Sequence, residues 1–104
     1  MSCCDDMHAS EGQAANPAAA KATQDKFLDF MKAAGAPGAL DARTKRALAV
    51  ALSVLARCEP CAKIHIRKAK DAGMSQEEID EAAWMAVSFG GCSAMMFYNE
   101  VKKS

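Results

Sequence analysis

The stretch "ARCEPCAKIHIRKAKDAGMSQEEIDEAAWMAVSFGG", residues 56–91, contains a helix start, a helix stop and a second start in one run. Pro60 has no backbone N–H, and its ring clashes with a preceding helical turn. It therefore belongs in the first turn of a helix that opens at about Cys58 or Glu59. Gly73 follows a turn rich in lysine and arginine and is the residue expected just past that helix's end. Ser75 and Glu78 then stand in S-x-x-E spacing, which satisfies two orphan N–H groups reciprocally and opens the next helix. Ile79, Ala82, Ala83 and Ala86 give it an apolar stripe, and Gly90 and Gly91 close it.

The same punctuation extends in both directions. Upstream, Phe27, Phe30, Met31 and Ala34 recur at helical spacing after Pro17, a first-turn proline, and stop at "GAPG", residues 35–38. Asp41 is a ready N-cap for a second helix, which is apolar from Ala47 to Ala56 at every position except Ser53. All-round apolarity predicts burial on all sides. Downstream, Ala94, Phe97, Tyr98 and Val101 mark a last helix. No segment alternates as a strand between hairpin signals, so the class is all-α, a compact subunit of about five helices. Residues 1–16, with adjacent Cys3 and Cys4 and no apolar stripe, read as a flexible N-terminal tail ahead of a single helical domain at 17–104.

Composition narrows the partners. Thirteen basic against thirteen acidic side chains give a formal charge of zero, which lacks the basic footprint of a nucleic-acid binder. Although 51% of residues are hydrophobic, no run approaches the ~20 apolar residues that span a bilayer. The start "MSCCDDMHAS" has no apolar signal segment, so the expectation is a cytoplasmic protein without a membrane partner. A core of about 85 residues is thin. Ile64, Trp84, Met85 and Val87 lie off the main stripes, so the chain is expected to self-associate and cover them.

The chemistry gathers at Cys58, Cys61 and His65, a C-x-x-C-x-x-x-H array. Five cysteines without a secretory signal are poorly explained as a disulfide framework, and a close pair points to catalysis or metal binding. On a helical wheel with Cys61 at zero, Cys58 falls at about 60° and His65 at about 40°, on the edge of the small-residue face of Ala62, Ala69, Ala72 and Gly73. Lys63, Arg67, Lys70 and Asp71 form the solvated side. A thiolate in the first turn gains from unpaired N–H groups and the macrodipole, typically ~0.3–1 kcal/mol. His65, one turn beyond Cys61, is within reach to accept its proton. The second cysteine can resolve a sulfenic acid or mixed disulfide without rearrangement.

Two other readings stand beside this one. A zinc site needs four ligands, or three and a water, so the trio would have to recruit Cys92, His8 or solvent. Free cysteines are also small hydrophobes that commonly fill cores, the simplest account of Cys92 alone. Trp84, Met95 and Met96 read as core or subunit contact rather than as a cofactor box.

Residues 40–97, "LDARTKRALAVALSVLARCEPCAKIHIRKAKDAGMSQEEIDEAAWMAVSFGGCSAMMF", resemble the carboxymuconolactone decarboxylase family, and the cysteine–histidine array resembles its alkyl hydroperoxidase D branch. The resemblance implies an all-helical subunit assembled as a homotrimer or homohexamer; apart from it, no cofactor and no metal are expected. It further implies a thiol–disulfide oxidoreductase that reduces peroxides or regenerates a peroxiredoxin partner, itself recharged by a thiol reductant. On matching positions Cys61 takes the peroxide-reactive role, Cys58 the resolving and proton-donating role, and His65 the proton relay. The decarboxylase branch lacks the cysteine pair. The alternative is a family member without peroxidase turnover, a ligand- or metal-binding accessory oligomer or a decarboxylase-type enzyme.

One position departs from the family pattern. Its relay includes a glutamate twelve residues before the first cysteine, where this chain has Arg46. An arginine stabilises a thiolate but relays no proton. If the second helix packs as in relatives, Arg46 points toward the dithiol. Glu59 lies about 160° from Cys61 on the wheel and points away.

Overall fold

The computed structural model describes residues 17–103. Five helices follow in order: α1 (Ala19–Gly35), α2 (Ala42–Leu55), α3 (Glu59–Asp71), α4 (Gln76–Gly90) and α5 (Cys92–Val101), with no strand among the described residues. The expected all-α class and about five helices are what the described residues adopt. The tail read at residues 1–16, with Cys3, Cys4 and His8, lies outside the described residues.

The chain divides into two compact units, one reaching to Ala34 and one running from Gly35 to Ser104. In the first, α1 has no buried residue. Its stripe is present but exposed, with the Phe27 and Phe30 ring centroids 6.3 Å apart, and its polar face carries a Lys21–Asp25 ion pair at 3.0 Å.

In the second unit α2 is the central helix, packed most extensively on α4 and then on α3, while α5 lies chiefly against α4. Each start has a chemical cause. Asp41 accepts the Thr44 N–H at 2.7 Å, and this bond above all holds the Asp41 carboxyl below its usual pKa. At α4 the capping box is complete: Ser75 Oγ accepts the Glu78 N–H at 3.1 Å, and Glu78 Oε1 accepts the Ser75 N–H at 2.9 Å. The other carboxylate oxygen of Glu78 pairs with Arg43, so one acid caps α4 and ties it to the start of α2.

Val50, Val54, Ala62, Ile66, Ala69, Met74, Ile79, Ala83, Ala86, Tyr98 and Val101 form the core. Alanines at the α3 and α4 contacts allow close approach, at the cost of little apolar area per residue. Tyr98 is the largest fully buried side chain, and its hydroxyl donates to Asp80 Oδ1 at 2.6 Å. Gln76 donates to the same oxygen at 3.0 Å, and the Lys102 ammonium sits 5.3 Å from the Tyr98 ring centre. The Tyr98 bond is the main reason the Asp80 carboxyl lies below its usual range, while burial first and then Asp80 push the phenol well above its own.

Burial of α2 on all sides is not what the subunit achieves. Leu48 and Leu52 are 44% and 60% exposed, because α3, α4 and α5 cover only the flank that carries Val50, Ser53 and Val54. Trp84, Met85, Phe89, Ile64 and Met96 are exposed as well. The apolar periodicity fixes where the helix has a core face and says nothing of whether one subunit can cover the rest.

Candidate functional site

The turn between α2 and α3 builds the site. Helix α2 ends in a double-bonded reverse turn in which the Arg57 N–H donates to Val54 O at 3.0 Å and the Cys58 N–H donates to Ser53 O at 3.2 Å. This closure needs a left-handed residue, and Arg57 takes that role with φ 54°. A side chain there costs about 1–2 kcal/mol relative to right-handed backbone. Cys58 follows in extended conformation (φ −92°, ψ 103°) and is already the N-cap of α3. One residue thus finishes one helix and begins the next.

At that cap the Cys58 sulfur accepts the backbone N–H of Cys61 at 3.3 Å, and the two sulfurs are joined as a disulfide across Cα atoms 5.2 Å apart. Cys58 is half-buried and Cys61 exposed. Pro60, inside the first turn, fixes the backbone between them without losing a helical hydrogen bond. Glu59 turns to solvent and pairs with Lys63 at 3.0 Å, as the helical wheel requires.

His65 stands four residues beyond Cys61 on α3 and is half-buried. Burial, with Lys68 adding to it, holds its imidazole below the ordinary histidine pKa. Both effects favour the neutral imidazole, the form that accepts a proton. Cys92 is a free, exposed thiol at the start of α5. Among the described residues no three histidine, cysteine, aspartate or glutamate side chains converge as a metal-binding cluster.

Arg46 stands in the first half of α2. It lines a shallow depression with Lys68, Asp71 and Ala72 at the far end of α3, because α2 and α3 run antiparallel and the start of one meets the end of the other. Seven residues separate Cys61 from Lys68, about 10 Å along the axis. His65 stands between them and feels the Lys68 charge.

A residue that sequence reasoning passed over lies much nearer. The Arg57 guanidinium donates to Leu55 O at 2.7 Å, to Gly90 O at 3.1 Å and through Nε to Ser93 Oγ at 3.1 Å. It fastens the α2–α3 turn to the α4–α5 junction. Gly90 is required there, since a Cβ would fall 2.9 Å from Ala94 Cβ and 3.0 Å from Leu55 Cδ1. The "GG" pair signals a helix end in the sequence, but nothing in the sequence shows what the junction receives.

The chain has clear relatives. It is 37% identical to uncharacterised protein 4 of the cox locus of Paracoccus denitrificans over 73% of this chain and 68% of that one. An uncharacterised protein of Cupriavidus necator is 34% identical over 80% of this chain and 70% of its own. Among solved structures, a Thermotoga maritima carboxymuconolactone decarboxylase family protein, for which a part in antioxidative response has been suggested, superposes with a TM-score of 0.73. It is 28% identical, and the match covers 78% of this chain and 84% of that one. A Legionella pneumophila protein of the same family, solved in its apo form, gives a TM-score of 0.72 at 32% identity, covering 78% and 72%. With residues 21–101 matching the family as a whole, this helical chain with a cysteine pair at the head of α3 belongs to the carboxymuconolactone decarboxylase family.

Proposed function

We propose that the chain is a thiol–disulfide oxidoreductase of the alkyl hydroperoxidase D type, reducing peroxides or recharging a peroxiredoxin partner. The observation that carries this reading is the Cys58–Cys61 bond across the first turn of α3, with Cys61 exposed and His65, its neutral form favoured by burial, one turn away. In the reduced state His65 takes the Cys61 proton, and the thiolate attacks one peroxide oxygen. The O–O bond breaks, the alcohol leaves with a proton and Cys61 becomes a sulfenic acid. The Cys58 thiol then attacks that sulfur, the S–S bond forms and water departs. Two thiols and one hydroperoxide give one disulfide, one alcohol and one water, and an external dithiol returns the two electrons.

Cys61 is assigned the attacking role on its exposure and its spacing from His65. Cys58, the less exposed residue of the pair, accepts the Cys61 N–H and is suited to resolving. The same protein is proposed to work in the cytoplasm as a homotrimer or homohexamer, the exposed apolar faces of α2 and α4 supporting assembly.

The test is steady-state turnover of purified protein with a panel of hydroperoxides and thiol reductants, beside Cys58→Ser and Cys61→Ser. Turnover that both substitutions abolish supports the reading. Turnover that survives either one places the chemistry elsewhere.

A further inference from the structure

The two helix ends that flank α3 use the same reverse turn with different residues. At the end of α3 the Gly73 N–H donates to Lys70 O and the Met74 N–H to Ala69 O, both at 3.0 Å, and the left-handed position is glycine with φ 92°. At the end of α2 the bonding is the same, yet the left-handed position holds Arg57. Among the described residues it is the one non-glycine with positive φ. A glycine would adopt this backbone freely, so the side chain is what the position retains. That side chain reaches across to Gly90 and Ser93, and the next residue is the capping cysteine.

From this geometry we infer that Arg57 is a positioning residue for the dithiol: its clamp on the α4–α5 junction holds Cys58 at the N-cap of α3 and thereby favours closure of the Cys58–Cys61 bond. The inference rests on the redox reading above. Closure by glutathione disulfide consumes one glutathione disulfide and two protein thiols and yields one protein disulfide and two glutathione molecules. With the clamp in place, Cys58 keeps the extended backbone that aims its sulfur back over the first turn, so little freedom is lost when the bond forms. Without it, the reduced turn samples conformations in which the sulfurs are apart, and closure costs more. Arg57 touches no reacting atom in this account.

The experiment is equilibration of the full chain, its Arg57→Gly variant and its Ser93→Ala variant in glutathione redox buffers, with the Cys58–Cys61 state read by alkylation and peptide mass. Glycine keeps the left-handed turn open but removes the whole side chain and adds backbone freedom of its own, so a fall in closure supports the clamp only together with one in Ser93→Ala. Ser93→Ala leaves Arg57 in place and removes one acceptor from a distant, exposed position. The expected result is a closure constant about tenfold lower for Arg57→Gly, a potential about 30 mV less negative, and at least twofold lower for Ser93→Ala. A clamp that serves stability alone would lower the denaturant midpoint and leave the closure constant where it was. A change of less than threefold in Arg57→Gly, or any increase, overturns the inference. Should that variant fail to fold, Ser93→Ala decides at its twofold threshold. A parent protein that forms no Cys58–Cys61 bond in any buffer instead overturns the redox reading itself.

Discussion

The backbone N–H of Cys61 points at the sulfur of Cys58 from 3.3 Å, so the cap of α3 and one half of the dithiol are the same atom. Serine at an N-cap supplies the same acceptor, and alanine supplies none. Cys58→Ser and Cys58→Ala both lose the bridge, but in reducing buffer Cys58→Ser is expected to be the more stable by about 1 kcal/mol. Urea denaturation of the two variants measures this, and equal midpoints would show that the sulfur is not a cap.

His65 gives the thiol chemistry a pH signature. In the disulfide form no negative sulfur faces it, and burial followed by Lys68 holds its pKa low. Reduction creates a thiolate on Cys61 that stabilises imidazolium, so the His65 pKa is expected to rise on reduction. Nuclear magnetic resonance titration in both redox states reads the shift directly. In the same account His65→Ala moves alkylation of Cys61 to higher pH. A His65 pKa indifferent to redox state would leave the helix terminus as the only activator. The lowered pKa also has a stability consequence in the oxidised protein. The native state binds fewer protons than the unfolded chain just below pH 6.5, so stability falls as pH drops from there toward the folded pKa.

At the other end of the bundle, the bond from Tyr98 to Asp80 is a hydrogen bond to a charged group, of the kind that contributes about 1.5–3 kcal/mol. Asp80 titrates below its usual range when folded, so its contribution is complete above about pH 4 and is lost as pH falls through the folded pKa. Tyr98→Phe keeps the ring and deletes the hydroxyl. Its stability deficit at pH 7 is expected to shrink by pH 2–3. Denaturation curves at both pH values test this, and a deficit that persists unchanged in acid would assign the loss to packing instead.

The uncovered apolar faces predict assembly. Leu52 on α2 and Phe89 on α4 are 60% and 80% exposed in the subunit. Light scattering at micromolar concentration is expected to give a multiple of the 11.0 kDa chain, and Leu52→Glu is expected to lower it. A monomeric parent would remove the case for a trimer or hexamer.

Local chemistry made much of this fold legible from the chain. Pro60, Gly73, the Ser75–Glu78 box and Asp41 each act within one helical turn, and each stands where the spacing puts it. What the sequence could not show depends on which helix meets which. The packing of α2 on α3 sets Arg46 beside Lys68 and Asp71, and the approach of the α4–α5 junction to Leu55 gives Arg57 its partners. The dithiol itself is legible because two short spacings on one helix carry it, whereas the Arg57 contacts join residues 33 and 36 positions apart.

The most direct measurement of the central claim is a single-turnover titration. Fully reduced protein is mixed with one equivalent of hydroperoxide, and remaining peroxide, remaining thiols and the location of any disulfide are determined on the same sample. The account predicts that each chain loses one hydroperoxide and two thiols, with the bridge at Cys58–Cys61 and Cys92 still free. Peroxide left unconsumed would contradict the peroxide-reducing reading, and peroxide consumed with the bridge or the oxidised sulfur located elsewhere would contradict the role of the Cys58–Cys61 pair.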